Sequence, residues 1–235
     1  MKTLQNLFIL LGFLSVIVLA VSGPLYQSEL ISLGTAFLLL RYAAYVAAAT
    51  VVINVLFFIF RRPAGARAGA SVLSIIAAAI AFYLPFSQYQ TATSVPPIHD
   101  ISTDLVNPPQ FEAIAPLRAD APNPVEYAGE ETAKQQREAY PDLQTYTTAE
   151  DVNAVFAKAL QAANDMGWEI VEANEDEGRI EATDTTTWFG FKDDVVIRIE
   201  SVDGQTHLDI RSKSRVGRSD VGKNAERIRE FLAAL

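Results

Sequence analysis

Three long apolar runs occupy the start of the chain: Leu4 to Val21, Phe37 to Phe60 (broken only by Arg41, Thr50 and Asn54), and Ala68 to Phe86. Each is close to the roughly 20 residues that a helix needs to cross a hydrocarbon layer, and a helix satisfies its backbone groups internally. The pattern predicts a three-span helical anchor over residues 1–90. Lys2 before an apolar run and the small residues Ala20 to Ser22 also fit a secretory leader, whose removal would leave the orientation of the other spans unchanged. Beyond Phe86 the pattern changes. Residues 91–147 carry eight prolines (Pro96, Pro97, Pro108, Pro109, Pro116, Pro122, Pro124 and Pro141), too many for helices or central strands. Ile98, Ile101, Phe111, Ile114, Leu117, Tyr127, Tyr140 and Tyr146 recur among them, which a free linker would not need. We therefore expect a proline-rich segment that wraps the following domain, with one short helix over Glu130 to Tyr140 stopping before Pro141.

Residues 148–235 read as an α+β core. Thr147 to Asp151 form a capping-box signal, followed at helical spacing by Val152, Val155, Phe156, Ala159, Leu160, Ala163 and Met166 up to Gly167. Four strand-like runs come next, starting at Trp168, Arg179, Asp194 and Thr206, with Asp203-Gly204 as a hairpin signal between the last two. Val195, Ile197 and Ile199 share one strand face and meet Leu208 and Ile210 across that hairpin. A final helix, capped by Ser219 or Asp220, aligns Val221, Ala225, Ile228, Leu232 and Leu235. The expectation is a four-stranded antiparallel sheet with both main helices on one face. The other face is either covered by the proline-rich segment or curved into a groove around a terminal helix.

Charge sharpens this division. The formal net charge is -9, but residues 1–90 hold five basic side chains (Lys2, Arg41, Arg61, Arg62, Arg67) against Glu29, while the remainder holds 14 basic and 27 acidic ones. So acidic a domain argues against general affinity for nucleic acid. The connector with Arg61, Arg62 and Arg67 is basic and the one from Pro24 to Leu33 is not, so the positive-inside rule puts the arginine loop and the amino terminus in the cytoplasm. Residues after Phe86 then face outward, beside the lipid bilayer. Arg41 is read as snorkelling and Asn54 as packing helices. The chain has no cysteine, so a disulfide framework and thiolate chemistry are excluded.

Two polar groups merit attention. The last 25 residues concentrate seven basic side chains, and Arg211, Ser214, Arg215, Arg218, Ser219, Lys223, Asn224 and Arg227 bring guanidinium, ammonium, hydroxyl and amide donors toward a helix amino terminus. Such donors suit a phosphate or carboxylate. The competing reading pairs these arginines with the domain's own carboxylates, Asp193 and Asp194 among them. The second group is His99, Asp100 and Asp104, to which Asp193 and Asp194 are added as an alternative site for acid/base or metal-assisted hydrolysis. Three residues of one loop make an incomplete site, and adjacent Asp193 and Asp194 would point to opposite faces of a strand. Neither group defines a cofactor or a metal cage. Trp188 and Phe189, with Phe191, are read as core residues or as an aromatic lip.

The stretches FGFKDDVVIRIE and LDIRSKSRVGRSDVGKNAERIREFL, with the upstream IHDISTD, NPPQF and APLR, resemble the family known as domain of unknown function 1499 (DUF1499) over about residues 96–235. The resemblance is to its membrane-anchored branch. It implies a bacterial envelope protein with relatives in plant plastids, and it supplies no catalytic residues. Together with the orientation read from the arginine connector, the expected location is the inner membrane with a periplasmic domain. The leading expectation is a non-enzymatic binding or assembly module that holds an anionic lipid, glycan or envelope protein. A hydrolase built on His99 is the alternative, and a cap on a homo-oligomer of three-span units is a third reading.

Overall fold

The computed structural model describes residues 2–235, and the side chain of Lys2 lies outside the described part. The chain divides into two compact units, one of residues 1–90 with Trp188–Gly190 and one of residues 91–187 with 191–235.

The first unit holds helices α1 (Lys2–Gln27), α2 (Leu33–Arg61) and α3 (Ala66–Ser94), the last of which runs on into the second unit. All three are long and apolar enough to cross a membrane, with mean hydropathies of 2.4, 2.3 and 1.9. Ser32 caps α2 by accepting from the Thr35 amide at 3.2 Å. The helix stops where Arg62 turns left-handed (φ 44°) just before Pro63. Pro24, expected in the connector, instead lies inside α1. A proline leaves the carbonyl four residues earlier without its helical donor, and here the Trp188 indole donates to that carbonyl, on Ala20, at 3.1 Å. Small residues let the helices approach: Ala47, Ala78 and Ala81 are fully buried with Leu19, and a Cβ on Gly12 would come 2.2 Å from Ser74 Oγ.

The second unit is a sheet with helices. Its strands are β1 (Asp100–Ser102), β2 (Tyr146–Thr148), β3 (Glu169–Asn174), β4 (Arg179–Thr185), β5 (Lys192–Val202) and β6 (Gln205–Ser214). Its helices are α4 (Glu130–Ala139), α5 (Val152–Asp165) and α6 (Lys223–Ala233). The sheet has six strands rather than four, in the order β1-β6-β5-β4-β3, with β2 also paired to β6 and every pairing antiparallel. The two extra strands have three residues each, too short to show a period. β1 joins β6 at Arg211–Lys213 and β2 joins it at Thr206–Leu208, so both ends of the proline-rich stretch pair with the same strand. Thr147 and Thr148, read as part of a helix cap, belong to β2, and Asp151 caps α5 by accepting from the Asn153 amide at 2.9 Å.

Alternation along β5 and β6 gives the sheet two different faces. On one, Val195, Ile197, Ile199, Leu208 and Ile210 meet Phe156, Ala159 and Ala163 of α5 and Ala225, Ile228 and Phe231 of α6 in a single buried cluster. Trp168 stacks on Phe231 there, with ring centroids 5.5 Å apart. The opposite face carries Asp194, Arg198, Asp209, Arg211 and Lys213, with Phe111, Ile114 and Val196 forming a small apolar patch. Gly178 is required at its turn: it has φ 61°, and a Cβ would lie 2.0 Å from the Ile199 carbonyl oxygen.

Candidate functional site

The polar face of the sheet is an ion-pair lattice with little access to water. Arg211, Lys213 and Arg215 alternate along and just past β6 and point the same way. Arg211 is fully buried and clasps Asp100 with Nε and Nη2 at 2.9 and 3.0 Å, and Lys213 Nζ donates to the same carboxylate at 2.8 Å. Burial alone would raise the Asp100 carboxyl, but the hydrogen bonds and charges of Arg211 and Lys213 prevail and hold it below its ordinary range. Burial pushes the Lys213 ammonium down, opposed by Asp100 and reinforced by Arg211 and Arg118.

Asp194 takes the next pair. Arg215 grips it through Nε and Nη2, both at 2.8 Å, and Arg118 Nη1 lies 3.1 Å from Oδ2, the oxygen that also accepts from Arg215 Nε. Further along, Arg198 bridges Asp104 and Asp209, each at 2.9 Å. Glu181, fully buried on β4, accepts from three successive amides, Glu112, Ala113 and Ile114, at 2.8, 3.1 and 2.8 Å. The cations also bind backbone carbonyls of the 109–126 stretch: Arg211 binds Pro109 and Val125, Lys213 binds Glu126, and Arg215 binds Leu117.

A second polar knot lies on the α6 side. Arg227 donates to Asp184 (2.6 Å), Asp193 (2.8 Å), Ser212 Oγ (3.0 Å) and Asn224 Oδ1 (2.5 Å). The Asn224 amide reaches Ser214 Oγ and the His99 carbonyl, both at 3.1 Å. Asp193 and Asp194 thus serve opposite faces of β5.

The loop between β6 and α6 differs from both. The amino terminus of α6 is occupied by the chain itself, since Asp220 accepts from the Gly222 and Asn224 amides, each at 2.8 Å. Burial raises the Asp220 carboxyl despite those amides, and the nearby charge of Asp193 adds to the rise. Val221 is held at φ 59°, an unusual conformation for a β-branched residue. Ser219 Oγ accepts from the Val221 amide at 3.1 Å. Lys223 is exposed and pairs with Glu226 at 2.5 Å, and Arg218 is exposed with no ion pair among the described residues.

Of the eight residues read as an anion-binding set, Arg211, Ser214, Arg215, Asn224 and Arg227 are therefore turned to internal partners, whereas Arg218 and Ser219 lie on the loop and Lys223 opens α6. The other set is dispersed. His99 Nδ1 lies 3.4 Å from the Arg218 carbonyl oxygen, Asp100 serves Arg211, and Asp104 accepts from the Val106 and Asn107 amides at 2.9 Å besides pairing with Arg198. Among the described residues, no group of three or more His, Asp or Glu side chains is placed to hold a metal ion. Sequence reasoning missed Arg118, Glu181, Arg198 and Asp209. Opposite charges at same-face positions of neighbouring strands, Arg198 beside Asp209 in register, were the available signal.

These lattice residues lie within the part of the chain that matches a known family: the model described as protein of unknown function (DUF1499) covers residues 100–235. The chain belongs to the DUF1499 family. Its matched region begins at Asp100, the carboxylate shared by Arg211 and Lys213, and runs to the end of the chain, so the DUF1499 region includes β1 and the whole polar face. A search of curated proteins finds no match.

Proposed function

We propose that this DUF1499 protein is a non-enzymatic, membrane-tethered binding or assembly module of the bacterial cell envelope, with its sheet domain on the extracytoplasmic side. Its contact with an anionic lipid, glycan or protein group is made by the loop from Gly217 to Lys223. The observation that carries this reading is the division of the basic residues. Arg211, Arg215 and Arg227 are committed to carboxylates inside the domain, while Arg218 stands exposed without an ion pair among the described residues and Lys223, the first residue of α6, is exposed and paired only with the exposed Glu226. The loop before α6 is fixed by Asp220, whose amide also donates to the Ile98 carbonyl at 3.1 Å. A fixed loop loses little entropy on binding. Residues 91–147 act as a wrap for the core in this reading, and the arginine connector at Arg61 to Arg67 sets the orientation.

The test is thermal unfolding of the full chain in detergent with a short-chain anionic phospholipid or a phosphosugar, beside an Arg218→Gln, Lys223→Gln variant. A ligand at about 100 times its dissociation constant stabilises by roughly 2.7 kcal/mol. A shift in the native chain that the folded variant loses supports the loop. Equal shifts in both, or none in either, removes it.

A further inference from the structure

A groove runs between the opening turns of α1 and the closing turns of α2. Leu4 and Phe8 line one wall, Ile53, Leu56, Phe57 and Phe60 line the other, and Arg61, the last residue of α2, completes the lining. Its volume is about 470 Å³, within the roughly 300–1,000 Å³ of small-molecule sites. Leu4, Leu56 and Phe60 are exposed, so the groove opens toward the hydrocarbon when these helices span a bilayer. From Ile53 to Arg61 the helix rises about 12 Å, against roughly 15 Å for half of a hydrocarbon core. One acyl chain of a single leaflet matches that length, and its headgroup falls at the level of Arg61.

Charge selects among lipids. Of the ionisable side chains in residues 1–90, Glu29 and Arg41 belong to the other end, where α1 gives way to α2. Lys2 opens α1 at the groove end, and Arg61, Arg62 and Arg67 follow the close of α2 and the start of α3, with no acid of this unit among them. Arg61 already has a partner within the protein. A guanidinium carries five donors, so that partner leaves others for a phosphate. Arg62 is exposed and Arg67 half-buried, and neither makes an ion pair among the described residues. The Arg62 amide closes α2 on the Phe58 carbonyl at 3.3 Å, so the arginine pair projects from a fixed backbone. A second copy of the chain, seated in the groove about a two-fold axis along the bilayer normal, would bring two such arginine groups together at one depth. Like charges oppose that arrangement.

We infer that the groove between α1 and α2 holds one acyl chain of an anionic diacyl phospholipid, whose phosphate is bound by Arg61 and Arg62. This site is separate from the loop before α6, and it holds for either orientation of the chain in the membrane. A basic side chain near the headgroups favours an anionic lipid about fivefold.

The experiment is thermal unfolding of the full chain in a neutral detergent, titrated with phosphatidylglycerol or with phosphatidylcholine of the same acyl chains. All proteins carry Arg218→Gln and Lys223→Gln, so the loop contributes to neither titration. Phosphatidylglycerol should raise the midpoint at a lower concentration than phosphatidylcholine. Arg61→Gln with Arg62→Gln should erase that difference, and Leu56→Trp, which fills the groove without changing charge, should weaken the response to both lipids. Glycerol phosphate, which has the headgroup chemistry and no acyl chain, should give no shift. Superimposable curves for the two lipids would overturn the inference. So would a Leu56→Trp response equal to that of its parent, a comparison that stands even where the double arginine variant does not fold. A dimer in mild detergent that Leu56→Trp dissociates would assign the groove to a second copy and overturn it as well.

Discussion

Replacing Asp100 by Asn should be among the most damaging single changes to the sheet domain. The carboxylate receives Arg211 at 2.9 and 3.0 Å, Lys213 at 2.8 Å and the Ala128 amide at 3.1 Å, in a site without exposure. Asn keeps one acceptor and the shape but removes the charge, so Arg211 and Lys213 are left buried without their counter-ion. Losing one partner of a buried pair typically costs about 3–5 kcal/mol, against a total stability of roughly 5–15 kcal/mol for a domain. With a urea dependence of about 1–3 kcal/mol/M, the midpoint should fall by more than about 1 M. The measurement is urea unfolding of the full chain in detergent, followed by fluorescence of Trp168, which is buried against Phe231. The control is Asp142→Asn, whose pair with Arg229 is roughly half exposed on both sides, 52% and 43%, and is worth about 0–1 kcal/mol. Adding Lys213→Met to Asp100→Asn should recover part of the loss by removing one stranded cation. A cost below about 1 kcal/mol for Asp100→Asn, matching the control, would refute the account of the polar face as a buried ion-pair lattice.

Glu181→Gln should cost about 1–3 kcal/mol, because the three amides of residues 112–114 lose a charged acceptor, and should increase protease sensitivity within residues 104–128. Gly178→Ala should destabilise by more than about 1 kcal/mol through its left-handed backbone and the Ile199 carbonyl, read from the same unfolding curves. The Asp100 carboxyl is lowered from its ordinary 3.8, so its contribution is complete above that value and is lost as the pH falls below it. Acid titration of stability should therefore be flatter in Asp100→Asn in that window. Because the chain lacks cysteine, single replacements report topology. Val106→Cys, at a position 95% exposed, should react with an impermeant maleimide on intact spheroplasts, and Ala64→Cys, in the arginine connector, only after lysis.

The parts of the fold that follow a period were legible in the sequence. The three spans, α5, α6 and strands β3 to β6 each repeat their apolar residues over enough length to be read. β1 and β2 were not, because three residues carry no period and their place on β6 depends on partners about 60 to 110 positions away. Pro24 misled for a related reason: its local preference is to end a helix, and α1 continues through it with the Ala20 carbonyl satisfied by the distant Trp188. At the polar sites, residue types were visible and partners were not. Arg211 and Arg227 looked alike as basic residues, yet β6 and α6 direct them to opposite faces of the sheet.

The pairing of both β1 and β2 with β6 also has a consequence for biogenesis. Residues 91–147 leave the ribosome well before β6, the last strand of the sheet, which receives them: Arg211 is 111 positions beyond Asp100. Until β6 is complete, Asp100 lacks Arg211 and Lys213, and β1 and β2 lack the strand they pair with. Such long-range closure favours slow folding. A nascent chain stalled before residue 205 thus has no partner strand for β1 or β2, and the interval before β6 appears is when proteases or chaperones have greatest access to the segment between them.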